Sequence, residues 1–241
     1  MFKTLLACAA ILPLAACNVV SDMSGDVVQP SGTGGSRNFN VADFNAVSLR
    51  GADNVVVRAG PAFAVTATGD SALLDRLEIR KDGTTLRIGR KGGDWKWNGD
   101  KGATITVTLP RLTAADIAGS GDMTVDRAEG DFSGSIAGSG DLRVAELRGG
   151  KVDLSIAGSG DLSIGGGMAS DLSISIAGSG DVDTSGLKAA RGDISIAGSG
   201  AVRAMATDTA AISIVGSGGV TLTGGAKCSI SKMGSGEATC S

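Results

Sequence analysis

Seven serines, Ser120, Ser139, Ser159, Ser179, Ser199, Ser217 and Ser235, each stand between two glycines, and the triplets recur every 18 to 20 residues. A nucleophilic serine needs a base, most often histidine, and the chain contains no histidine. That absence removes Ser-His-Asp and Cys-His catalysis and every imidazole metal site together. The serines are therefore expected to be structural, with hydroxyls passing hydrogen bonds from repeat to repeat, because a hydroxyl both donates and accepts.

Asp122, Asp141, Asp161 and Asp181 follow four successive triplets, after which Ala201, Gly219 and Glu237 break the column. Stacked about 4.8 Å apart, neighbouring carboxylates repel by roughly 1 kcal/mol in a water-like dielectric. Two arrangements could offset this. Each Asp could cap amides of its own corner as an Asx-type turn, or the column could line a row of calcium ions. Calcium-binding Gly-rich nonapeptide repeats are half as long and place Asp differently, so turn capping is the expectation and no metal or other cofactor is expected. A lyase or hydrolase of polysaccharides would need one carboxylate pair at a defined separation, and a regular column supplies no unique pair. The chain therefore reads as a protein without catalysis.

Two further groups stand out. Trp95 and Trp97 flank Lys96 inside a Gly- and Asp-rich segment and are the only tryptophans. As alternating residues of a strand they would share one face, either covering an end of the fold or offering a contact platform for a sugar or partner. Cys228 and Cys240 flank the last triplet. Aligning Gly234 with Gly158 places them at the inward positions of Val152 and Ile164, where a disulfide closing the last coil is expected, two free buried thiols being the alternative.

These residues need a scaffold that repeats with them. Ile117, Ile136, Ile156, Ile176, Ile196 and Ile214 lie two residues before the triplets, and Met123, Leu142, Leu162, Val182, Val202 and Val220 lie two after. Alternation with Ser or Asp, as in Asp153-Leu154-Ser155-Ile156, is the period of half-buried strands. A period near 20 residues means one unit copied and stacked, each copy burying its neighbour's apolar face. Each unit reads strand, glycine corner, strand, second corner, which gives an all-β parallel β-helix. Aromatics are 3% of the chain and Tyr is absent, in keeping with a narrow interior.

The first sixteen residues hold Lys3, an apolar run from Leu5 to Leu14 and Ala15-Ala16 before Cys17. This is the pattern of a secretory signal, and Leu14-Ala15-Ala16-Cys17 resembles a lipoprotein lipobox, making Cys17 the expected lipidation site. Asn18 is not the Asp associated with inner-membrane retention, so the expected location is the outer membrane, with the membrane as a partner through the anchor. The net charge of −3 becomes −4 when Lys3 leaves with the leader, and no basic face suggests nucleic acid. Residues 17–38, rich in Ser, Gly and Asp, are expected to be a flexible tether. The β-helix is expected over 39–240, with irregular coils over 39–116 and regular ones over 117–240.

Residues 39–240, with Asp82-Gly83-Thr84-Thr85-Leu86-Arg87-Ile88, the strand Thr104 to Pro110 and the Gly-Ser-Gly coils, resemble the family named "putative auto-transporter adhesin, head GIN domain". The resemblance implies a right-handed, pectin-lyase-like β-helix, a role in adhesion and no catalytic residues. It also implies a partner on a cell surface or in the envelope, such as a glycan or an envelope protein. A polysaccharide-binding or polysaccharide-active β-helix protein is the alternative.

Overall fold

Every Gly-Ser-Gly coil lies in register on the one before it. The computed structural model describes residues 24–92 and 102–241. It is a β-solenoid whose strands pair in parallel from coil to coil. On one wall Leu49, Ile117, Ile136, Ile156, Ile176, Ile196 and Ile214 stack directly over one another. On the other wall Val55, Met123, Leu142, Leu162, Val182, Val202 and Val220 do the same. All of these side chains are buried. Their alternation with Ser, Thr, Asp and Arg leaves the polar partners outward, as the strand period requires.

The first glycine of each triplet makes the corner. Gly138 has φ +138°, and a Cβ there would run into the carbonyl oxygen of Gly119 in the coil below. Only glycine combines that dihedral with so close a backbone approach. The coil-to-coil bonds at the corners differ from the expected hydroxyl ladder, because backbone amides make them. The amides of Ser139, Ser159, Ser179, Ser199 and Ser217 donate to the carbonyls of Gly119, Gly138, Gly158, Gly178 and Gly198. The backbone can fill this role because glycine lets adjacent coils approach closely.

Stacking order departs from sequence order at the N-terminal side. The coil formed by Ala46–Gly51 and Asn54–Ala59 lies between the later strands Thr85–Arg90 and Thr104–Leu109 on one side and the first triplet coil on the other. It is as regular as the later coils, with Gly51 in register with Gly119. The excursion between its strands and the triplets adds antiparallel pairs. Leu77–Asp82 pairs with Thr85–Arg90, and Ala64–Thr68 with Thr104–Leu109. A short helix, Ser71–Arg76, joins them, with the Asp70 side chain accepting from the Ala72 amide at 2.9 Å.

The tether expected over 17–38 does not reach residue 38. Asp26–Val27 pairs with Lys81 and Arg80, Pro30–Ser31 with Phe39 and Asn38, and Ser36–Phe39 with Ala64–Thr68. Composition alone suggested coil, but Phe39 is buried and Arg37 reaches Asp75 at 2.6 Å. The two strands at this margin, Asp26–Val27 and Pro30–Ser31, have two residues each. Edges so short offer little to another chain.

The opposite end consists of Lys227–Gly234 and Glu237–Cys240. Cys228 and Cys240 are joined by a disulfide, with Cα atoms 6.6 Å apart and a sequence separation of 12. They stack over Ala210 and Leu222, both buried, so the crosslink spans the interior of the last coil. Lys232 follows Ile214 in the isoleucine column and is exposed. An inward charge on the last strand discourages addition of another.

Candidate functional site

The Asp column takes a form that the sequence did not reveal. Oδ1 of Asp122 accepts from the amide of Asp141, Asp141 from that of Asp161, Asp161 from that of Asp181, and Asp181 from that of Ala201. Each carboxylate therefore caps the next coil and not its own corner, which corrects the turn-capping expectation. Coil-to-coil register brings that amide within 2.8 to 3.2 Å. Asp141 also accepts from Arg143 at 2.8 Å, which offsets part of the repulsion along the row. Among the described residues no group of three or more acidic or Cys side chains is arranged to hold a metal ion.

Asp53 is a buried exception to the repeat. It takes the position of Gly121 in the neighbouring coil, is fully buried, and accepts from Arg90 at 2.6 and 3.0 Å and from the Ala103 amide at 2.8 Å. With both oxygens committed, it locks the Thr85–Arg90 strand to the stack.

An axial groove of about 770 Å³ runs along the wall of the isoleucine column. One side is the column Lys151, Asp171, Arg191, Thr209, Lys227, and the other is Asp153, Ser173, Asp193, Ala211, Ser229, each set aligned from coil to coil. Leu172, Gly192 and Ala210 lie between them. The cause of the depression is inside. The inward column runs Val152, Leu172, Gly192, Ala210, Cys228, with little side-chain volume at Gly192 and Ala210 to prop the wall outward. Register shifts between Thr184 and Lys188, and between Ala189 and Arg191, bend the chain just before it.

The groove holds three basic and three acidic side chains. Arg191 grips Asp171 through two hydrogen bonds of 2.6 and 2.9 Å, and Lys151 lies 3.1 Å from Asp153. The hydrogen bond from Arg191 holds the Asp171 carboxyl below its ordinary range, and the same contact raises the Arg191 guanidinium. The side chains of Asp193 and Lys227 make neither a hydrogen bond nor an ion pair among the described residues. Sequence reasoning missed the groove because its signal, two small residues in an otherwise branched inward column, is a matter of volume and not of chemistry.

Two of the groups singled out from sequence, Cys17 and the Trp95/Trp97 pair, lie outside the described residues. No described helix is long and apolar enough to cross a membrane.

Comparison with known proteins accords with this geometry. The family model described as "Putative auto-transporter adhesin, head GIN domain" matches residues 43–226. A crystal structure of a "putative adhesin" from Bacteroides fragilis is 22% identical and covers 89% of this chain and 100% of that one, with a TM-score of 0.80. A "putative lipid binding protein" from Parabacteroides distasonis is 23% identical over 86% of this chain and 96% of that one, with a TM-score of 0.70. A "putative adhesin" from the same species is 22% identical over 90% and 98%, with a TM-score of 0.68. At such identities the likeness establishes the fold. No curated protein matches the chain.

Proposed function

Since the chain belongs to the family described as "Putative auto-transporter adhesin, head GIN domain", we propose that it is a non-catalytic interaction protein of the bacterial envelope. It is held to lipid through Cys17, at the outer membrane, and meets its partner along the side of the solenoid. The observation that carries this reading is the coil-to-coil repetition of the outward columns, which the register shifts at 184–191 interrupt only locally. Asp141, Asp161 and Asp181 repeat one bond, and Asp53 is committed to Arg90 and Ala103. A catalytic site is a local exception to a repeat, and the groove at Arg191, which departs from it, ties four of its six charged side chains to one another, whereas a contact surface gains from repetition. Trp95 and Trp97 would add aromatic contact area.

Deleting the gene from its host and scoring attachment to cells and surfaces tests the adhesive role, with complementation by the wild type and by Cys17→Ser. Attachment should fall on deletion, return with the wild type and stay low with Cys17→Ser, whose product should leave the membrane fraction. Unchanged attachment on deletion, or membrane retention of an exported Cys17→Ser protein, would count against the reading.

A further inference from the structure

We infer that the axial groove binds a neutral, hydroxyl-rich polymer, a glycan chain laid across the coils, a refinement that rests on the adhesive reading above. Four coil steps separate Lys151 from Lys227, which at about 4.8 Å per step gives roughly 19 Å of groove. Contacts repeated at that interval suit a ligand that itself repeats.

Charge selects among polymers. Three cations and three carboxylates balance within the groove, so a polyanion meets as much repulsion as attraction, and a polycation likewise. The Arg191–Asp171 and Lys151–Asp153 pairs satisfy four of the six groups. Asp193 and Lys227 remain, of opposite sign, and need a donor and an acceptor respectively. A hydroxyl is both. A chain of sugar hydroxyls therefore satisfies both free charges without bringing a charge of its own, and charge-assisted hydrogen bonds are the stronger kind. Ser173, Thr209 and Ser229 extend the same chemistry along the walls.

An extended peptide is the competing macromolecule, and the strand pairing disfavours it. The strands carrying Lys151, Asp171, Arg191 and Thr209 are paired to a neighbour on both sides. Their amides and carbonyls are used within the stack, and only the outer edge of Lys227–Gly234 is left open, where the Lys232 charge in the isoleucine column opposes strand addition. A glycan reads side chains alone. No aromatic residue lines the groove, so a single sugar unit is held weakly and affinity must accumulate along the chain.

The test is native electrophoresis of the full chain through gels containing dextran, soluble starch or galactomannan, with polygalacturonate, polylysine and an unstructured polypeptide as further arms. At least one neutral polysaccharide should retard the protein, and shortening that polysaccharide to a disaccharide should abolish competition. Asp193→Ala and Lys227→Ala should each weaken the apparent affinity about tenfold, as expected for one charge-assisted hydrogen bond. Arg127→Ala, at an exposed ion pair outside the groove, should leave it unchanged. Retardation by none of the neutral polysaccharides, or by the polyion or polypeptide arms alone, overturns the inference, and so does retardation indifferent to both groove variants. Host attachment that persists alongside such a failure leaves the adhesive reading standing, whereas attachment unaffected by gene deletion removes that reading itself.

Discussion

Oδ1 of Asp122 accepts a hydrogen bond from the backbone amide of Asp141 at 3.1 Å, 19 residues further along the chain. The same bond recurs at Asp141, Asp161 and Asp181. What reads in sequence as a run of like charges is therefore a set of coil-to-coil clamps.

Asp181→Ala should destabilise the protein by about 1 kcal/mol, because the Ala201 amide loses its acceptor. Asp181→Asn keeps an oxygen there and should cost less. Millimolar calcium should not shift the melting temperature of the wild type, since each Oδ1 is already engaged. Urea and thermal melts of the three proteins decide the matter, and equal stability of Asp181→Ala and wild type would show the clamp to be idle.

Two glycine-to-alanine changes should act in opposite directions. Gly158 has φ +140°, and its added Cβ would strike the Gly138 carbonyl oxygen, so Gly158→Ala should cost at least about 2 kcal/mol. At Gly192 an added Cβ meets nothing nearer than 3.7 Å, so Gly192→Ala should stabilise by about 0.5 kcal/mol by restricting the unfolded chain. Denaturant midpoints give both signs directly.

Removing the Cys228–Cys240 crosslink should cost up to about 3 kcal/mol, the chain-entropy value for a loop of its length. Ile230 and Met233 in the same coil are already exposed, so the loss should appear first as local opening. Hydrogen exchange in a Cys228→Ser/Cys240→Ser double variant should accelerate over 227–241 well before it does over 151–178. Uniform acceleration would mean that the last coil is not a separate unit of stability.

Acid should release the N-terminal strands first. A hydrogen bond from Ser24, followed by one from Arg87, holds the Asp82 carboxyl below its ordinary range. A carboxyl depressed by folding contributes stability above its unfolded pKa and loses it as pH falls through the folded value. The Val28 amide, which donates to Ile79 at 2.9 Å, is the reporter. Its NMR shift should move toward the coil value at acid pH, and in Asp82→Asn it should already be shifted at neutral pH. A signal unchanged by either treatment would separate Asp82 from the docking of this segment.

The inward columns were legible in sequence because period-2 alternation and the triplet spacing report them directly. The places of Cys228 and Cys240 followed from the same alignment, in the columns of Ala210 and Leu222. Partner choice was not legible. Whether Asp141 caps its own corner or the next coil depends on a register offset of one coil, which no single repeat encodes. Residues 26–38 looked like tether because Ser, Gly and Asp outnumber their anchors, yet Arg37 and Phe39 suffice to hold them. The place of the 46–59 coil inside the stack, between later strands, was invisible for the same reason as the groove, since both arise from three-dimensional neighbours and not from local pattern.

The clamp also bears on how such a chain could lengthen or shorten in evolution. Each coil contributes a carboxylate upward and an amide downward, and the last amide in the row belongs to Ala201, which needs no acidic side chain. Duplicating or deleting one 20-residue coil inside the row thus leaves neither an orphaned acceptor nor an orphaned donor. The antiparallel strands at one end and the crosslinked coil at the other need not change. Between these fixed ends the number of coils is a free parameter, and reach can be selected without redesigning the fold.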